Sequence, residues 1–295
     1  MSAQAGQSSC CGPDCCSTDS EVEVALKPRS ENVERTNVET KQLVKEKYAE
    51  VVETTGSCCG PACCGTEFDV SESYAGKDGY VAEADYSLGC GIPTDVSEIK
   101  EGETVVDLGS GAGNDVFVAR SLVGEKGRVI GVDFTPAMVR KARTNLAKLG
   151  FTNVEFTQGD IEDIPLENGV ADIIISNCVL NLVPDKTKAF GEMHRILKPG
   201  GRFAISDIVT VGELPSAAKS VAELYAGCVS GAVRKEEYVA GLQAAGFSDV
   251  VIRKEKPYTL TTELLSKYLK PEEVEEYEKS GGRIVSVTVT GRRAD

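Results

Sequence analysis

Residues 105–115, VVDLGSGAGND, decide how this chain folds. The residues up to Leu108 read as a strand, and Gly109, Gly111 and Gly113 supply a tight turn into a helix. Backbone amides at a helix start can receive the polar groups of a ligand. Taken alone, the turn fits a steric link between strand and helix equally well. A dinucleotide fingerprint would carry its last glycine where Asn114 stands, which makes a nicotinamide cofactor the second choice.

Outward from this turn, short β-branched runs alternate with amphipathic segments. Strands are expected at 104–108, 128–133, 154–158, 171–176, 202–209, 250–254 and 284–289. The best-marked helix is 136–149, with Thr135 at its N-cap, Pro136 in its first turn and Gly150 after its end. Another, 186–197, starts at Asp185 and stops at Lys198-Pro199-Gly200-Gly201; two more are expected near 221–228 and 235–245. This alternation predicts an α/β fold with a mainly parallel seven-stranded sheet. In the last strand Val285, Val287 and Val289 form an apolar face and Ile284, Ser286 and Thr288 a mixed one. Residues 1–70 lack a core pattern and read as a Cys-rich flexible arm, with one helix over 38–52. Residues 71–255 form the core, and 256–295 complete the sheet.

Composition narrows the function. Of 295 residues, 32 are basic and 46 acidic, a net charge of −14 that argues against a nucleic-acid partner. One histidine, His194, leaves little room for a Ser-His-Asp triad, and it reads as a packing residue. The amino terminus has no secretory pattern, and no run of about eighteen apolar residues suggests a membrane span, so a cytoplasmic protein is expected. In a reducing compartment, 11 cysteines point to metal binding or redox work rather than a structural disulfide framework. Eight lie in a duplicated element: CCGPDCC contains Cys10, Cys11, Cys15 and Cys16, and CCGPACC contains Cys58, Cys59, Cys63 and Cys64. Cys90, Cys178 and Cys228 stand singly.

The cofactor follows from a combination. Asp107 precedes the turn Gly109-Ser110-Gly111 with Gly113 beyond it, Asp133 and Phe134 end the second strand, Asp160 and Ile161 follow the third, and Asn177 ends the fourth. Over about residues 98–255 this set resembles the Rossmann-like class I methyltransferases, which implies S-adenosyl-L-methionine as cofactor. With YSLGCGIP, GVDFTPAMV, SNCVLNLVPDK, LKPGGRFAISD and ELYAGCVSGA added in order, the chain resembles the arsenite methyltransferase family across roughly residues 71–250. DLGSGAG and LKPGG are shared with quinone C-methyltransferases. Cys90, Cys178 and Cys228 together are far more specific to the arsenic enzymes.

The resemblance implies methyl transfer to trivalent arsenic held by Cys90, Cys178 and Cys228, with thioredoxin or glutathione as reductant. Physical chemistry agrees: trivalent arsenic is thiophilic and has three ligand positions, and its lone pair can attack an electrophilic methyl carbon without a general base. Cys58, Cys59, Cys63 and Cys64 are candidate auxiliary thiols, with a non-catalytic chelating tail as the alternative. Cys90 lies ahead of the core on a segment expected to move, which makes Cys178 and Cys228 the pair for monomethylated arsenic. Asp207 either lines the substrate edge or ends the fifth strand and receives no catalytic role. Competing readings are a quinone-type carbon methyltransferase and a thiol sensor that binds metalloid without turnover.

Overall fold

The structure, a computed structural model, describes residues 37–54, 71–225, 229 and 231–294. The duplicated cysteine elements and Cys228 lie outside the described residues.

After helix α1 (Asn37–Thr54), the chain alternates through β1 (Thr104–Leu108), α2 (Asn114–Val123), β2 (Arg128–Asp133), α3 (Pro136–Leu149), β3 (Val154–Gln158), β4 (Ala171–Asn177), α4 (Lys186–Ile196) and β5 (Leu197–Val211). Next come α5 (Ser216–Tyr225), α6 (Lys235–Ala244), β6 (Phe247–Tyr258), α7 (Thr262–Ser266), α8 (Pro271–Ser280) and β7 (Arg283–Arg293). Seven strands form one sheet in the order β3-β2-β1-β4-β5-β7-β6. The first five pair in parallel, while β7 runs antiparallel to both β5 and β6.

Helices cover both faces, which is why the central strands read as nearly continuous apolar runs. Val105, Val129, Ile173 and Ile175 pack with Val116, Phe117 and Met138 on one side. Val106, Ile130, Ile174 and Phe203 pack with Phe190, Met193 and Leu242 on the other. A third cluster joins Cys90 and Cys178 to Ile208, Leu264, Leu265, Val274 and Ile284. The carboxy-terminal helices thus do more than follow the sheet: they wall in the thiols.

Local signals explain most boundaries. Asp185 caps α4 by accepting the Lys188 N–H, and Gly150 ends α3 in the left-handed region at φ 69°. Thr135 occupies the N-cap of α3 without a side-chain cap; Asp133 accepts its N–H instead. Two expectations change. Helix α1 lies against α3 and lines the cleft described below, so this part of the amino-terminal region is docked on the core. Strand β5 spans Leu197–Val211 rather than 202–209, its pairing with β7 continuing to Val211. The mixed face of β7 is buried, as suits a strand in a covered sheet, with Ser286 and Thr288 turned toward the cysteine segment. Among the described residues, no helix is long and apolar enough to cross a membrane.

Candidate active site

A cleft opens at the carboxyl ends of β1, β2 and β4, where open α/β sheets receive ligands. It encloses about 1160 Å³, including space open to solvent, and its lining includes Asp107, Gly109, Ser110, Gly111, Asp133, Phe134, Asp160, Ile161, Asn177 and Cys178. Gly113 sits behind it as the N-cap of α2. Almost the whole set read from the sequence therefore converges on one space.

Asp133 organises the glycine turn. One carboxylate oxygen accepts the Gly111 N–H at 2.9 Å and the other accepts the Thr135 N–H at 2.8 Å. A carboxylate offers about four lone-pair sites, so capacity remains for the hydroxyls of a ligand. Gly111 has φ 52°, and a Cβ built there would meet nothing closer than Met138 Sδ at 4.0 Å. The turn is consequently strained for other residues and open toward the cleft.

The cleft is rich in buried carboxyl groups. Burial pushes the Asp107 carboxyl well above the usual carboxylate range, with the charges of Asp115 and Asp133 adding to the effect. Burial also raises Asp133, against the lowering effect of its backbone donors, and raises Asp115 to about 6 against hydrogen bonds from Tyr74 and Asn177. Buried carboxylates of this kind favour a ligand bearing positive charge and hydroxyl donors. Ser110 Oγ and Asn114 Oδ1 line the same cleft, are buried, and have no protein partner. Such atoms are normally satisfied, so they fit a polar ligand.

Thiols border this space. Cys178 follows β4 with φ 60°, its N–H donating to Ser206 O at 2.8 Å, and it forms a disulfide with Cys90 at a Cα separation of 5.8 Å. Cys90, on the segment expected to move, is fully buried. The Cys90 N–H donates to Asn177 Oδ1 at 3.0 Å, and the Cys90 carbonyl accepts from Ser286 Oγ at 2.6 Å. Its flanking glycines permit this approach: a Cβ at Gly89 would lie 2.5 Å from Asn177 Nδ2, and one at Gly91 2.6 Å from Ser206 Oγ. Asn177 thus lines the cleft but commits its amide to the cysteine loop, donating also to Gly91 O at 2.7 Å. Cys228 lies outside the described residues; Val229 packs in the cluster that contains Cys90 and Cys178.

Sequence reasoning passed over three groups. Asp207 is wholly buried, and a carboxylate oxygen lies within 4.8 Å of both sulfurs. Burial pushes its carboxyl up to about 7, offset in part by the Ile208 N–H, the Lys186 charge and the Tyr238 hydroxyl. Asp115, visible in the glycine-rich motif, accepts the Tyr74 hydroxyl at 2.7 Å. Lys41 donates at 2.6 Å to both Asp160 and Glu162. Tyr74 and Lys41 had no motif to mark them, since long-range folding alone brings them here. His194 packs edge-on against Phe247 and does not line the cleft.

Comparison with known proteins identifies the fold and its family. The methyltransferase domain family covers residues 99–246. A solved arsenic (III) S-adenosylmethionine methyltransferase from Chlamydomonas reinhardtii is 35% identical with a TM-score of 0.59, covering 70% of this chain and 68% of that one. This chain belongs to the arsenite methyltransferase family. The arsenite methyltransferase of Halobacterium salinarum is 42% identical over 210 residues, 71% of this chain and 51% of that protein. A ubiquinone/menaquinone biosynthesis C-methyltransferase of Klebsiella pneumoniae is 38% identical over 112 residues, covering 38% of this chain and 45% of that protein. The chain spans about half the length of the curated relatives it matches.

Proposed function

We propose that this protein methylates trivalent arsenic bound to its own thiolates, using S-adenosyl-L-methionine as donor. The observation that carries the reading is the Cys90–Cys178 pair set at the edge of a cleft lined by buried carboxylates. When bound, the donor supplies an electrophilic methyl carbon on a sulfonium. Asp133 and the Gly111 turn would hold its ribose, the unpaired Ser110 and Asn114 groups its polar end, and Phe134, Asp160 and Ile161 its base. A cationic donor group beside Asp107, Asp115 and Asp133 would favour their ionised forms, which burial alone disfavours, and be held by them in turn.

On the substrate side, Cys90, Cys178 and Cys228 are proposed to ligate arsenic, with Cys58, Cys59, Cys63 and Cys64 as auxiliary thiols. Thiolate ligation leaves the arsenic lone pair as nucleophile, so proton abstraction is not required. What the chain supplies is alignment in a site screened from water. Transfer of the methyl leaves arsenic pentavalent. Closing the Cys90–Cys178 bond releases two electrons from two thiolates, which return arsenic to the trivalent state, and a small thiol or dithiol protein such as glutathione or thioredoxin reopens the bond. The disulfide supports this reading as the oxidised stage of such a cycle.

The test is incubation of the full chain with donor, arsenite and thiol, followed by separation of arsenic species. Methylated arsenic is expected, and Cys178→Ser should abolish it. Stoichiometric arsenic binding without methylated product would favour a sensor. Methylation of a quinone but not of arsenic would favour the carbon methyltransferase.

A further inference from the structure

Helix α1 presents Lys41, Lys45, Tyr48 and Val52 at helical spacing, so that all four share one face. Tyr48 and Val52 pack against the core cluster beneath α3, Lys45 Nζ lies 5.7 Å from the centre of the Phe134 ring, and Leu43 is left exposed. Lys41, Val44 and Tyr48 line the cleft on the side of Phe134, Asp160 and Ile161. An apolar slot with polar groups at its rim, as here, suits a flat heteroaromatic ring.

Lys41 ties this wall together. Its ammonium meets Asp160 Oδ2 and Glu162 Oε2, both at 2.6 Å. Asp160 Oδ1 accepts the Glu162 N–H at 3.0 Å, and Glu162 Oε1 accepts the Asp185 N–H at 2.8 Å. One cation therefore sets the loop after β3 and, through Glu162, the start of α4, next to the cleft-lining Val183 and Pro184. The Glu162 side chain is only 7% exposed, so without Lys41 it would carry an uncompensated, largely buried charge.

We propose that α1 forms the outer wall of the nucleoside end of the donor site, and that Lys41 is a positioning residue coupling donor binding to the docking of α1. This rests on the donor assignment made above. Coupling must be reciprocal: if a docked α1 favours the donor, a bound donor must favour the docked α1.

Full-length wild type, Lys41→Met and Lys41→Arg are compared with S-adenosylhomocysteine as the probe, by calorimetry and by hydrogen exchange over residues 37–54. In wild type the probe should slow exchange in α1. Lys41→Met should lose that protection and bind the probe about five- to tenfold more weakly, a range discounted for partial exposure of the ion pair. The KM for donor should rise similarly, while kcat at saturating donor and the KM for arsenite hold, and Lys41→Arg should restore both binding and protection. Should Lys41→Met fold poorly, Glu162→Gln serves instead, since its amide oxygen can still accept from Asp185; about a twofold weakening is expected. Wild-type affinity in the folded Met variant, or α1 exchange indifferent to the probe in a wild type that binds it, overturns the coupling alone. A wild type that does not bind the probe overturns the donor assignment and the coupling with it.

Discussion

Asn177→Ala should convert a buried cysteine loop into one that opens on reduction. The amide accepts the Cys90 N–H at 3.0 Å and donates to Gly91 O at 2.7 Å and Asp115 Oδ2 at 3.2 Å. Two neutral hydrogen bonds contribute about 1 kcal/mol each, and a bond to a carboxylate somewhat more, for a total near ~3 kcal/mol. For a chain of this length that corresponds to a melting decrease of about 6 to 10 °C. The Cys90–Cys178 bond tethers the same loop, so the oxidised variant should keep it in place. Once the bond is reduced, local opening of the loop becomes easier by its two bonds at Cys90 and Gly91, about 2 kcal/mol, which is on the order of 30-fold faster amide exchange around Cys90 than in reduced wild type. Mass-spectrometric hydrogen exchange on both redox states measures this directly. Exchange in the reduced variant within about threefold of reduced wild type would refute the idea that Asn177 pins the loop.

Asp133→Ala should weaken S-adenosylhomocysteine binding by about 1.5 to 3 kcal/mol, read by calorimetry, because it removes charge-assisted acceptors and loosens the Gly111 turn. Gly111→Ala should cost only ~1 to 2 kcal/mol of stability for its φ of 52°, since the new Cβ meets open space, yet reduce probe affinity more strongly than it reduces stability; unaltered affinity would move the ligand elsewhere. Asp207 and Asp115 have folded pKa values raised from 3.8 to about 7 and about 6, so each contributes stability that is full below about pH 4 and is lost as pH rises through its folded value. Asp207→Asn should therefore gain stability relative to wild type between about pH 5 and 8 in urea titrations, and a constant difference across that window would reject the assignment.

Strand and helix positions were legible because each element carries a local pattern. The strands at 104–108, 128–133 and 154–158 and the helix at 136–149 have the bounds read from the sequence, with apolar runs between glycine and proline punctuation. The later strands run longer than their patterns. The residues they gain, such as Lys198, Pro199, Gly200 and Gly201 at the start of β5 and Gly291, Arg292 and Arg293 at the end of β7, carry no apolar alternation and are strand only because a neighbouring strand pairs with them or the chain runs on beside it.

The glycine turn, the carboxylate Asp133 at the end of β2 and the glycine-flanked cysteines could be found by spacing alone, since a turn without Cβ atoms or a thiol with close neighbours constrains residue type locally. Which groups meet could not. Tyr74 reaches Asp115, Lys41 reaches Asp160, and Ser286 reaches Cys90 across 41, 119 and 196 residues of chain. Sequence determined the sheet, the glycine turn and the identity of the thiols, because those signals repeat over a few residues. Tertiary structure decided that Cys90 is buried beside Cys178, that Asp207 shares their space and that α1 walls the cleft, because burial and charge pairing depend on what the rest of the fold brings near.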